Sequence, residues 1–329
     1  MASALIPALA DAFPEARLDW LTEDANAGLL QDNPRLNQVI ALPRQRWRQL
    51  RREGRHLQLF QEFSLLVRQL RQARYDLVLD IQGLLKSAVW SFLCGSKTRI
   101  GLGSREGSQW LMTKTLDTRT DAPRIGGEYL KIACALGLTP AHFDMDINPS
   151  AKTRQDAAAI LEGSGITGPF AVLCPFTTRP QKHWFEERWA ELARRLAEEK
   201  GLQTLILGGQ GDRPSAGRIK ADAPGLIDLT GQTSLIECAA IIGRASLLVG
   251  VDTGLTHLGT AMKTPTLALF GSTRPYLDTG FERAKVLYNA LPCSPCKRHP
   301  TCDGQYDCMK SHAVEKIIAE ASTLLETDI

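Results

Sequence analysis

No stretch of the 329 residues approaches the ~20 consecutive apolar positions a membrane-spanning helix requires, which sets aside a helical integral membrane protein. Charge of one sign is also scarce. There are 39 Lys and Arg against 36 Asp and Glu, and a formal charge of +3 is too mild to argue for a nucleic-acid partner. The opening segment, MASALIPALADAF, is apolar but lacks a positively charged start and reads as an amphipathic helix, so it is not expected to act as a signal peptide. Two nucleotide fingerprints are missing. LGGQGDRP puts a proline where the last glycine of G-x-G-x-x-G should stand, and GLLKS at Gly83 is too short for a P-loop. There is no short-period repeat and no low-complexity segment.

What the chain does have is alternation. Apolar strands and amphipathic helices follow one another throughout, the pattern of an α/β protein with parallel sheets. In the first half RLDWLTE, NQVIAL, YDLVLDI and TRIGLG read as strands, with helices over 2–12, 47–74 and 84–94. In the second half the strands are FAVLCPF, QTLILGG, LIDLTG, SLLVGVD, TPTLALFG and AKVLYN, with helices over 185–200, 235–243, 255–262 and 312–325. The proline-bearing stretch GLTPAHFDMDINPSAKTRQD separates the halves, giving expected domains at 1–150 and 151–329, with the last helix returning to the first domain. Open α/β sheets bind ligands beyond the carboxyl ends of their strands, so a cleft is expected there. The first helix has no strand before it to cross over from, and the first strand of the first domain is therefore expected to be missing.

Three strand ends carry candidate chemistry. In LLVGVDTGLTHLGTAM an apolar strand stops at Asp252-Thr253-Gly254 and a helix opens with His257 one turn on. Free N–H groups and the positive helix end make an anion site, Gly254 lets a phosphate come close, and Thr253 and His257 add donors. Asp252 would suit donor orientation or a sugar hydroxyl. Simple capping of the helix by Asp252 or Thr253 reads equally well from this stretch alone. In CPFTTRPQKHWFEERWAEL the same strand–loop–helix setting supplies Thr177, Thr178 and Lys182, which suit a leaving diphosphate. Asp212, after the strand ending at Leu207, is either a ribose partner or part of a plain turn.

VDTGLTHLGTAMKTPTLALFGST together with TTRPQKHWFEERWAEL resembles glycosyltransferase family nine, and AFPEARLDWLTE and YDLVLDIQGLLKSA extend the likeness over nearly the whole chain. The resemblance implies an inverting, metal-independent enzyme of the GT-B type, with two Rossmann-like domains and a nucleotide-sugar donor held by the second. ADP-heptose would be a substrate rather than a cofactor, and a lipid-linked inner-core lipopolysaccharide the acceptor, at the inner face of the cytoplasmic membrane. By that likeness Thr177, Thr178, Lys182, Asp252, Thr253, Gly254 and His257 match donor-contact positions, with Asp212 in a loosely aligned loop. Family members usually begin with a short strand and a Gly-Asp turn whose Asp is the proposed base; this sequence aligns from just after that point. A truncated start is the leading explanation and impaired catalysis in a nucleotide-sugar-binding protein the other. Asp11, on a helix, and Asp19, within a strand, are poor replacements, so no base is named.

Two features stand apart from the likeness. Of the eight cysteines, Cys293, Cys296, Cys302 and Cys308 crowd into one proline-rich loop, while the rest are scattered through apolar segments. With no export signal, reduced thiols are expected. A tetrahedral metal site is the alternative, though the second pair lacks zinc-ribbon spacing. The basic run RQRWRQLRREGR, Arg44 to Arg55, is either a solvated helix or a contact for a membrane surface or anionic lipid.

Overall fold

The computed structural model describes residues 1–118, 124–140 and 143–326. It divides into two compact units: Met1–Ala27, Pro34–Ala122 and Gly126–Asp144 form unit 1, and Gly28–Asn33, Pro123–Ile125 and Met145–Ile329 form unit 2. Of the expected linker, residues 141–142 lie outside the described residues.

Unit 1 holds β1 (Asp19–Glu23), β2 (Gln38–Leu42), β3 (Leu77–Asp80), β4 (Thr98–Leu102) and β5 (Lys114–Leu116). Its helices are α1 (Leu5–Ala12), α2 (Asp24–Ala27), α3 (Arg44–Arg52), α4 (His56–Gln72), α5 (Leu85–Leu93) and α6 (Gly127–Ala135). All strand pairs are parallel, but they form two sheets, β1-β2 and β3-β4-β5. The Tyr75 hydroxyl, just ahead of β3, donates to Asp19 Oδ2 on β1 at 2.6 Å and so ties the two together. Asp19 also accepts from Asn37 and Gln38, which leaves its carboxylate committed to structure. The expected helix over 47–74 is two helices. Gly54 turns the chain at φ 71°, a left-handed conformation that glycine adopts without a Cβ clash, and α3 folds back on α4.

Unit 2 holds β6 (Phe170–Cys174), β7 (Gln203–Ile206), β8 (Ile227–Asp228), β9 (Leu247–Val251), β10 (Thr266–Phe270) and β11 (Ala284–Tyr288). Around them lie α7 (Ala151–Gly163), α8 (Glu186–Lys200), α9 (Arg213–Asp222), α10 (Leu235–Ile242), α11 (Gly254–Ala261), α12 (Asp307–Lys310) and α13 (Val314–Glu326). The six strands make one parallel sheet in the order β11-β10-β9-β6-β7-β8. Strands β6, β9 and β10 are buried at every residue, which is why their sequences read as unbroken apolar runs rather than alternating ones. Helices α8, α9 and α13 cover one face around Trp189 and Leu196, and α7, α10 and α11 cover the other. Val314, Ile317, Ile318, Ala321 and Leu324 of α13 are part of the unit 2 core, because its apolar face matches the sheet edge it follows.

Gly250 shows how tightly the central strands are packed. A Cβ there would lie 2.2 Å from Thr256 Oγ1 and 2.9 Å from Cys174 Cβ. Without one, Thr256 tucks its hydroxyl onto the Val251 carbonyl at 2.6 Å and closes the turn into α11. Gly250→Ala is expected to destabilise unit 2 by about 2 kcal/mol through overpacking, read as a lowered urea midpoint with unchanged slope.

Candidate functional site

The strand order of unit 2 reverses between β6 and β9. From β6 the chain runs outward through β7 and β8, then returns to start β9 on the other side. Loops that leave the carboxyl ends of two such neighbours diverge and leave a crevice, the usual ligand position in open parallel sheets. Cys174 of β6 lies beside Gly250 of β9, so the loop at 175–182 and the turn at 252–254 emerge together. The first loop ends in a short 3-10 turn, Pro180–Lys182, ahead of α8. The second enters α11 with Thr253 at its N-cap.

Lys182 and Asp252 meet across these loops, with Nζ 2.8 Å from Oδ2 and both side chains largely buried, 15% and 17% exposed. Asp252 is the hub of the group. Its Oδ1 is 3.5 Å from His257 Nε2, and Thr273, after β10, donates to its Oδ2 at 2.7 Å. Burial alone would raise the Asp252 pKa. The hydrogen bonds from His257 and Lys182, the charge of Lys182 and the bond from Thr273 outweigh it and hold the carboxyl well below the usual carboxylate range. On its other ring nitrogen His257 pairs with Tyr276, Nδ1 to hydroxyl 2.7 Å. Tyr276 in turn packs edge-on against Phe270, and burial, with the charge of Asp252, pushes its phenol pKa up. Tyr276 thus holds the ring by Nδ1 and leaves Nε2 facing Asp252.

The helix end beside this cluster is unspent. Thr253 makes no side-chain capping bond, so simple capping does not account for it. Gly254 is exposed, and a Cβ there would meet nothing within 4 Å. Neither packing nor a left-handed backbone calls for glycine at that position; close approach of a ligand would. The Thr177 hydroxyl reaches the Asp252 carbonyl at a long 3.5 Å, and Thr178 is exposed with no side-chain hydrogen bond among the described residues. The structure therefore gathers Thr177, Lys182, Asp252, Thr253, Gly254 and His257. Asp212 stays in its own loop, where Oδ2 accepts from the Gly209 N–H at 2.8 Å.

Thr273, Tyr276 and His183 were not singled out from the sequence. His183 Nε2 lies 2.8 Å from the Thr177 carbonyl and fixes the first loop. Thr273 closes the string LALFGST, whose final hydroxyl was the available signal; Tyr276 had none.

The two remaining sequence features resolve differently. All eight cysteines are free thiols. Burial pushes the Cys296 and Cys308 pKa values up. No group of three or more His, Cys, Asp or Glu among the described residues is placed to hold a metal ion. In the basic run, Arg44, Arg46 and Arg55 pair with Glu23, Glu62 and Glu53. Trp47 is not a surface anchor; it stacks on Trp90 and packs into the core beneath α4.

A model of glycosyltransferase family 9 (heptosyltransferase) matches residues 64–306, about three quarters of the chain. The chain belongs to that family. Lipopolysaccharide heptosyltransferase 1 of Pseudomonas aeruginosa is 32% identical over 308 residues, 91% of this chain and 83% of that protein. Among solved structures, the family 9 glycosyl transferase of Veillonella parvula is 21% identical with a TM-score of 0.84, covering 99% of this chain and 93% of its own. E. coli heptosyltransferase WaaC with ADP-2-deoxy-2-fluoro heptose is 24% identical with a TM-score of 0.72, covering 97% and 96%. The α/β fold of GT-B type, the family resemblance and the glycosyltransferase reading are all borne out. No helix among the described residues of this family 9 protein is long and apolar enough to cross a membrane.

Proposed function

We propose that this family 9 protein moves a heptosyl group from ADP-heptose to a hydroxyl of the lipopolysaccharide inner core, with inversion. The observation that carries the reading is the Lys182–Asp252–His257 cluster beside the unspent N-terminus of α11, at the point where the sheet order reverses. As the anomeric carbon–oxygen bond breaks, negative charge grows on the departing ADP. Lys182, held by Asp252, and the first-turn N–H groups of α11 are positive groups fixed in place before that charge appears. Thr177, Thr178, Thr253 and His257 are assigned to the diphosphate and sugar, and Asp212 to the ribose. Gly254 is the point of closest backbone approach. The charge is met by side chains and a helix end, so the reaction as proposed needs no metal. The acceptor hydroxyl gives up its proton to a base that is not assigned here. Relatives named for lipopolysaccharide, and the E. coli protein solved with an ADP-sugar analogue, support the choice of donor and acceptor. A peripheral seat on the inner face of the cytoplasmic membrane belongs to the same proposal, since the acceptor is lipid-linked.

Thermal unfolding with ADP, UDP, GDP and CDP tests the donor site. A nucleotide present at about 100 times its dissociation constant stabilises by about 2.7 kcal/mol, a rise of a few degrees. ADP alone is expected to give it. A cooperative melt that none of the four moves would overturn the reading.

A further inference from the structure

Unit 1 carries an exposed face that its own fold does not use. Helix α5 buries Ala88 and Ser91 and turns Leu85, Val89 and Phe92, spaced i, i+4 and i+7, outward. On the neighbouring α4, Leu66 and Leu70 serve the core while Leu57 and Phe60 stand 82% and 69% exposed. Trp110, on the short turn Ser108–Leu111 against α5, is 85% exposed. Helix α5 packs against both α4 and the turn that holds Trp110, so these side chains stand on adjoining elements. A shallow groove between α4 and α5 is lined by Phe60, Phe63, Val67, Arg68, Arg71 and Leu93. Arg71 donates to the Leu93 carbonyl at 3.1 Å. Arg99 lies 5.5 Å over the Phe92 ring and donates to the Leu111 carbonyl at 2.8 Å, joining α5 to the turn that holds Trp110.

We infer that this face docks on an anionic lipid bilayer; the inference rests on the reading that the acceptor is lipid-linked. Scattered exposed apolar side chains need no explanation, but aromatic and aliphatic tips gathered on adjoining elements with arginines beside them do. Between residues 44 and 105 there are thirteen Arg and Lys against four Asp and Glu, in a chain whose formal charge is only +3. Arg68 and Arg74 form no salt bridge with any described residue. Aromatic and leucine tips with an arginine rim match the boundary between acyl chains and anionic headgroups. A second copy is a poorer occupant, because a two-fold contact would set this excess of cations against itself. The face also replaces the Arg44–Arg55 run as the centre of the contact, since half of that run's arginines are neutralised internally and its tryptophan packs against Phe63 and Trp90.

The test is co-sedimentation of the full chain with phosphatidylcholine vesicles, with and without phosphatidylglycerol. The protein is expected to bind the anionic vesicles and to lose binding as salt is raised. Phe60→Ser/Phe92→Ser/Trp110→Ser and, separately, Arg68→Glu/Arg74→Glu are each expected to weaken binding about tenfold or more. The pair Arg194→Glu/Arg244→Glu, with the same change of charge on exposed positions of unit 2, is expected to change it less than about twofold. The ADP-induced thermal shift, measured on the same variants, is expected to persist and reports that they are folded. Failure of the wild-type chain to bind anionic vesicles, unchanged binding by the aromatic triple variant, or a solution dimer that this variant dissolves would each overturn the inference. Loss of the ADP shift in the wild-type chain while vesicle binding persists would overturn the transferase reading and leave the docking face standing.

Discussion

Lys182→Ala is expected to lower kcat by about 10²–10³-fold on an ADP-sugar donor, with a smaller change in KM. The asymmetry follows from when the charge appears. On the proposed binding mode the diphosphate already carries its negative charges in the bound donor, and the helix end and hydroxyls would share them. Further charge develops on the departing oxygen only as the glycosidic bond breaks, and a fixed ammonium answers that increment most strongly. Lys182 is suited to this because it is not a mobile surface lysine. Its stem is packed, its Nζ is held 2.8 Å from Asp252, and it has two further N–H groups to aim elsewhere. Lys182→Arg is not expected to rescue, since a planar guanidinium cannot replace a compact ammonium in a space 15% exposed. The competing account is that Lys182 merely neutralises Asp252. On that account the alanine variant would be less stable yet retain kcat within a few-fold once saturated with donor. Steady-state kinetics beside a urea melt separates the two.

Much of unit 2 was legible because its chemistry is one-dimensional. Strands buried on both faces must be apolar throughout, and FAVLC, LLVGV and TLALF stand out between polar loops for that reason. β5, only Lys114–Leu116 and with two of its three residues exposed, has no such signature and was missed. The break at Gly54 was missed for a different reason. Apolar periodicity continues on either side of it, and a single glycine in a polar stretch does not announce a left-handed turn. For the site, Asp252-Thr253-Gly254 and Lys182 were legible as types of residue at strand ends. Their meeting was not, because it depends on β9 inserting beside β6 rather than beyond β8, a long-range pairing that local pattern does not encode. Asp212 was legible as an acid at a strand end, but not as the acceptor from the Gly209 N–H that fixes its turn. For the four clustered cysteines the sequence favoured reduced thiols and left a metal site as the alternative, because whether such thiols converge is a property of the folded loop.

Asp252→Asn is expected to cut kcat by about 10²-fold while leaving the fold intact, because it removes the charge that aims Lys182 and His257 but keeps an oxygen for Thr273. Its stability cost, about 1–3 kcal/mol at neutral pH, is that of leaving a largely buried ammonium without its counter-ion. The pH dependence fixes the sign. The Asp252 carboxyl is held below its ordinary value in the folded protein, near 3.9 in the unfolded chain. Above that unfolded value both states are ionised and the full stabilisation is present; as pH falls through the window below about 4, the unfolded state takes up the proton first and the stabilisation is lost. The wild type and Asp252→Asn should therefore differ by a constant amount from pH 8 down to about 5, and converge on further acidification. Urea melts of the two chains across that range check it. A gap that already closes above pH 5, where the Asp252 carboxyl is ionised in both states, would overturn the assignment of this stabilisation to its charge.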